Sequence, residues 1–176
     1  MSRHIPERAY HEEYILCHPP SITSRHGYIG GRSDRPINSS ILLAGAGPTR
    51  IHKHSGLIIG DRFFAAIGNL VACLNLPLSQ LMWYQAVDSA TCFGVHYSPR
   101  FTCLVSHGEC DIARISLLGQ VEWKVSGADI FTEGFTLQEL GCEVVDLNGT
   151  QYWVNLSTAI YQNSRRLTGV FNGGGL

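Results

Sequence analysis

The chain is short of charge. Asp, Glu, Lys and Arg make up 15% of its 176 residues, against roughly 25% in a typical soluble domain. The formal net charge is −1, and Arg32, Arg35, Arg50, Arg165 and Arg166 are scattered along the chain. No basic footprint for DNA or RNA forms, so no nucleic-acid partner is expected. No stretch reaches the roughly 18–20 consecutive apolar residues of a membrane span, and the first twenty residues, MSRHIPERAYHEEYILCHPP, hold no apolar signal segment. A cytoplasmic location without membrane attachment is the expectation. The six cysteines (Cys17, Cys73, Cys92, Cys103, Cys110 and Cys142) include no C-x-x-C pair, which favours buried, reduced thiols over a disulfide framework. Two enzymatic signatures are missing as well. There is no G-x-S-x-G elbow, and the AGAG of residues 44–47 runs straight into Pro48 with no third glycine or helix behind it.

What is present is apolar: the hydrophobic fraction is 44%, enough for one sizeable core. Residues 1–49, interrupted by Pro19-Pro20 and by GYIGGRSDRP at 27–36, read as an irregular N-terminal arm with a single short strand at SSILLA, 39–44. From about residue 50 to 176 the texture is that of a β-rich domain. Short runs of Val, Ile, Leu, Phe, Tyr and Trp alternate with Gly, Pro, Asn, Asp and Ser, the pattern of successive antiparallel strands. Strands are predicted near 57–60, 62–67, 70–75, 81–87, 92–97, 101–106, 110–116, 120–126, 130–137, 142–147 and 151–156, with a short helix at TAIYQNSRRL, 158–167. The fold class is all-β, a mainly antiparallel meander.

Two stretches repeat. LVACLNLPLSQLMWYQAVD (70–88) and CDIARISLLGQVEWKVSGAD (110–129) each read as strand, turn and Trp-bearing strand, with Trp83 and Trp123 40 residues apart. A shorter copy, EVVDLNGTQYWVNLSTA (143–159), carries an Asn-Gly hairpin signal and Trp153. Over 56–159 this pattern resembles the quinoprotein-type β-propeller blade repeat. The turn residue is glycine at Gly119 and Gly149, whereas the first copy has Pro77 and Ser79. The resemblance implies propeller-blade-like sheets with the three tryptophans in equivalent inward positions. Closed propellers have about 4–8 blades, and fewer than three are legible here, so an incomplete propeller or small sandwich is expected.

The stretch SHGECDI, 106–112, sets His107, Glu109 and Asp111 at alternate positions. They continue the odd-numbered register of Phe93, Val95, Tyr97, Phe101, Cys103 and Val105 in the preceding hairpin. If the strand runs on unbroken, an imidazole and two carboxylates share one face and can bind a divalent metal or transfer protons. If it bulges or turns at Gly108, the carboxylates are re-aimed and His107 becomes a hydrogen-bonded residue at the core edge. His52 and His54 in IHKHSG, and His11 with Glu12, Glu13, Cys17 and His18, are further candidate ligands without a defined complete set. In GADIFTEGF, 127–135, Asp129, Phe131 and Glu133 sit on a loop entering an aromatic strand, where a partner contact is expected. The alternative is that Phe131 and Phe135 simply anchor the core.

No complete catalytic set is legible. The leading expectation is a non-catalytic protein-interaction module, of the bacterial accessory or immunity type, with a protein partner and no cofactor. Its alternatives are a metal-dependent hydrolase or metal-binding protein using His107, Glu109 and Asp111, and a structural subunit completed by self-association into a homo-oligomer.

Overall fold

A computed structural model describes residues 22–29, 37–44, 51–76, 79–159 and 161–164. Among them are fourteen strands and no helix. β1 (Ile22–Ile29) and β2 (Ile37–Ala44) pair as an antiparallel ribbon. Three four-stranded antiparallel meanders follow, each in chain order. Sheet 1 is β3 (Gly56–Ile59), β4 (Arg62–Ile67), β5 (Leu70–Asn75) and β6 (Gln80–Ala86). Sheet 2 is β7 (Cys92–Ser98), β8 (Cys103–Gly108), β9 (Asp111–Ser116) and β10 (Val121–Ser126). Sheet 3 is β11 (Gly134–Leu137), β12 (Gly141–Val145), β13 (Gln151–Asn155) and β14 (Tyr161–Ser164). The described strands close no barrel, and the all-β antiparallel class follows directly from this order. No helix among the described residues is long and apolar enough to cross a membrane.

The sequence differs from this picture at three places. The predicted helix over 158–167 is replaced by β14, which pairs with β13 through Tyr161↔Val154 and Tyr152↔Asn163. Pairing satisfies the edge of β13, which a detached helical turn would leave open. Within the N-terminal arm the strand at 39–44 is present, and β1 is an unforeseen partner for it. The chain also supplies three four-stranded sheets where fewer than three blades were legible.

Sheet 2 is the middle layer. One core joins it to sheet 1 through Phe64, Val71 and Cys73 on one side and Val95, Leu104, Ala113 and Ile115 on the other. A second core joins it to sheet 3 through Cys103, Val105 and Ile112 against Phe131, Cys142, Val144, Tyr152 and Val154. Successive residues of a strand point to opposite faces, so β8 sends Leu104 into the first core and Cys103 and Val105 into the second. Burial on both faces explains its uninterrupted apolar run. The five cysteines among the described residues are all free. Burial pushes the Cys92 and Cys142 thiols up to about 12, which keeps them protonated and inert.

The junctions between sheets repeat. The Cys92 amide donates to Gly68 O at 2.7 Å, and the Phe131 amide to Glu109 O at 2.7 Å. In return, Thr91 O accepts from the Glu109 amide at 2.7 Å and Ile130 O from the Leu147 amide at 2.8 Å. Each linker is thus pinned to the middle hairpin of the sheet before it and of the sheet after it. The tryptophans of the outermost strands of sheets 1 and 2 repeat as well. Trp83 on β6 lies against Gly119 in the β9–β10 turn of sheet 2. A Cβ there would come within 2.6 Å of the indole, and the backbone is left-handed with φ 88°, so glycine is required twice over. Trp123 on β10 reaches the corresponding turn of sheet 3, its Nε1–H donating to Leu156 O at 3.3 Å. Trp153 breaks the expected equivalence. It sits on β13, the third strand of its sheet, opposite Glu143 and Gln162, so it faces away from the second core.

Candidate functional site

The middle hairpin of sheet 2 decides the fate of SHGECDI. β8 ends at Gly108 and β9 begins at Asp111, so the alternate spacing of His107, Glu109 and Asp111 spans a tight turn. His107 pairs with Ile112, which places it on the face toward sheet 3, while Asp111 falls on the opposite parity. The supposed odd-numbered face also fails across the first hairpin. Val95 pairs with Ser106 and Tyr97 with Leu104, so odd positions of β7 share a face with even positions of β8.

His107 and Asp111 each have a structural partner. His107 Nε2–H donates to Phe131 O at 3.0 Å; a carbonyl only accepts, which fixes the tautomer. Asp111 accepts from Ser126 Oγ at 2.6 Å and faces Lys124 Nζ at 3.1 Å. Glu109 acts through its backbone in the junction described above. The expected metal set of His107, Glu109 and Asp111 is therefore not brought to one point. Among the described residues no group of three or more His, Cys, Asp or Glu side chains is arranged to hold a metal ion. The cluster of His11, Glu12, Glu13, Cys17 and His18 lies outside the described residues.

The reason for the turn is Asp88, which the sequence left unremarked. Its buried carboxylate accepts four backbone amides, from Ala90 and Thr91 of its own linker and from Cys110 and Asp111 across the hairpin, at 2.7–3.0 Å. A Cβ on Gly108 would lie 2.1 Å from Asp88 Oδ2, so only glycine admits the carboxylate. Asp146 does a similar task in sheet 3, accepting from the Asn148 and Thr150 amides and from Tyr152 Oη.

Of the loop expected to contact a partner, Phe131 is committed internally. Phe131 is 1% exposed in the second core, so its side chain anchors the fold and is not presented to a partner. Asp129 accepts from Asn148 Nδ2 at 2.5 Å, and Glu133 from Thr132 Oγ1 at 3.1 Å.

Two features emerge that sequence reading did not assemble. The first is a row of rings along the innermost strands. His54, just before β3, stands 4.4 Å centroid to centroid from His96 on β7; His96 stands 4.4 Å from Phe135 on β11; and Phe135 stacks on His107 of β8 at 4.8 Å and 16°. Phe93 closes the row against His107 at 5.4 Å. Burial drives His96 down to about 3, with the neighbouring His54, His107, His52 and Lys53 adding to the effect. Burial likewise lowers His107 to about 4, the Phe131 carbonyl and Asp88 opposing it. These imidazoles are neutral at physiological pH and make a stacking surface.

The second is the face of sheet 1 turned away from sheet 2. Ile58, Phe63, Ala65, Ile67, Leu70, Ala72, Leu74, Leu81 and Ala86 share it, by the pairings Ile58↔Phe63, Ala65↔Ala72, Ile67↔Leu70 and Leu70↔Ala86. The β1–β2 ribbon lies over it, β2 reaching β4 and β1 reaching β6, and Leu70 and Ala72 are fully buried. Beside them, among the described residues, a cavity of about 270 Å³ stays open between Phe63, Ala65, Ile67, Leu74 and Leu76, with Asn75 and Ser79 completing its lining. A sequence signal existed: FFAAI and LVACL are unbroken apolar runs, the mark of strands buried on both faces.

The chain matches no known protein family and no curated protein. Among solved structures it is similar to the computationally designed Ika4 protein, at a TM-score of 0.54 and 9% identity, over 69% of this chain and 80% of that one. At that identity the likeness concerns the fold alone.

Proposed function

We propose that this protein is a non-catalytic protein-interaction module, a set of propeller-blade-like sheets whose binding surface is the outward face of sheet 1. The observation that carries this reading is the open, mainly apolar cavity beside Phe63, Ile67 and Leu74. Its volume lies just under the roughly 300–1,000 Å³ of small-molecule pockets, which suits one or two apolar side chains of a protein partner. Exposed Ile58, at 62%, and Leu76, at 39%, extend the apolar surface at its margin. The blade reading is supported by the repeated linker bonds and by the shared placement of Trp83 and Trp123. The structural commitments of His107, Asp111, Asp88 and Asp146 favour binding over chemistry at those residues.

Site-specific photo-crosslinking in the native host tests this. A photoreactive residue replacing Leu76 should capture a discrete protein that the same residue at Thr136, on the outward face of sheet 3, does not. Leu76→Asp should abolish retention of that protein on the immobilised chain. Equal capture from both positions, or retention unaffected by Leu76→Asp, overturns the assignment.

A further inference from the structure

The ring row does more than fill space, because it is where all three sheets meet. His54 belongs to the approach to sheet 1, His96 and His107 to sheet 2, and Phe135 to sheet 3. A backbone bond runs beside it, the Val95 amide donating to His54 O at 2.9 Å across the sheet 1–sheet 2 junction. His96 Nε2 is buried with no hydrogen-bond partner among the described residues. We propose that this row is an acid-operated latch, in which protonation of His96 and His107 parts the inner strands β7 and β11 and the approach to β3 while the outer strands stay paired.

The surroundings favour opening once charge arrives. From the segment before β3 come His52, Lys53 and His54, all neutral or cationic; from β8 comes His107; from β11 comes Phe135, an uncharged ring. The carboxylate acting on His107 is Asp88, and its oxygens already accept four amides. Attraction to the Phe135 ring face does not offset the cost of holding a charge on buried His96, whose Nε2 has no acceptor among the described residues. The sign follows from linkage. Closed, the two imidazoles stay neutral down to about 3 and 4; opened, they titrate near the ordinary value of about 6.5. The open state therefore binds more protons below about pH 6.5, and the latch weakens from there toward pH 4 while holding fully above. Each imidazole raises the open population up to about tenfold per pH unit in that window.

Amide exchange of the full chain, followed residue by residue by NMR between pH 7.5 and 5 and corrected for intrinsic rates, reads this out. The Val95 amide should lose protection with a slope approaching two protons, by about 100-fold or more between pH 7.5 and 5, while the Ile115 amide changes far less. His96→Phe keeps a ring in the row without a titrating group and should lower the slope by about one proton; His96→Gln should do the same. A pH-independent Val95 amide, an unchanged slope in both variants, or an equal loss at Ile115 would overturn the latch.

Discussion

Sheet 1 and sheet 3 each turn one face away from the middle sheet, and the two faces differ. On sheet 1 that face is Ile58, Phe63, Ala65, Ile67, Leu74 and their neighbours. On sheet 3 the register places Thr136, Glu143 and Gln151 there, all exposed, with half-buried Val145 and Trp153. The strands show the reason in their composition. In sheet 3, β11, GFTL, sets core-facing Phe135 and Leu137 on either side of exposed Thr136, whereas β4 and β5 of sheet 1 carry apolar residues at both parities. Alternation fits a strand with one wet face, and unbroken apolarity a strand that is covered twice. Among the described residues sheet 3 thus turns a largely polar face outward and sheet 1 an apolar one, which the β1–β2 ribbon meets in part.

The largest expected effect contrasts the two kinds of tryptophan. Trp123 closes the second core and bonds the turn of the next sheet, so Trp123→Ala should destabilise by about 3–5 kcal/mol. Trp153→Ala should cost about 1–2 kcal/mol, because Trp153, half-buried like Trp123, lies on the outward face and packs into neither core. Urea melts of both variants check this, and equal losses would show that Trp153 is a core residue after all. Next comes the contrast between two aspartates. Asp88→Ala orphans four amides, those of Thr91 and Asp111 buried, and should cost about 2–4 kcal/mol, whereas Asp129→Ala, on a more open loop, should stay within about 1 kcal/mol. The smallest effects sharpen the comparison of faces: Leu76→Asp and Glu143→Lys should each leave stability within about 1 kcal/mol, and only the first should impair partner retention.

Most of the fold was readable, and the residues show where reading stopped. Strand positions from 56 to 156 follow from apolar runs and turn residues, because both are local. Parity was not local. Whether odd positions of β7 and β8 share a face depends on the loop between them, and the pairing Tyr97↔Leu104 reverses the assumed alignment. For the same reason the His107–Asp111 stripe dissolves, since a turn at Gly108 that admits the Asp88 carboxylate sends the two residues to opposite faces. Asp88 itself is 22 residues from the Cys110 amide it binds, and His54, His96 and Phe135 meet only after the three sheets have packed. The outward face of sheet 1 was the legible feature left unread, since its signal, two adjacent strands apolar at both parities, is present in FFAAI and LVACL.

The most direct test of the unequal faces needs no identified partner. With Ile, Leu and Val methyl groups labelled, titration of the whole protein with indole, a small apolar probe, should shift the methyl resonances of Ile67, Leu74 and Leu76 around the sheet 1 cavity while those of Val145 and Leu147 on sheet 3 stay in place. Shifts of equal size at Val145 and Leu147, or none at Ile67, Leu74 and Leu76, would contradict the assignment of sheet 1 as the binding face.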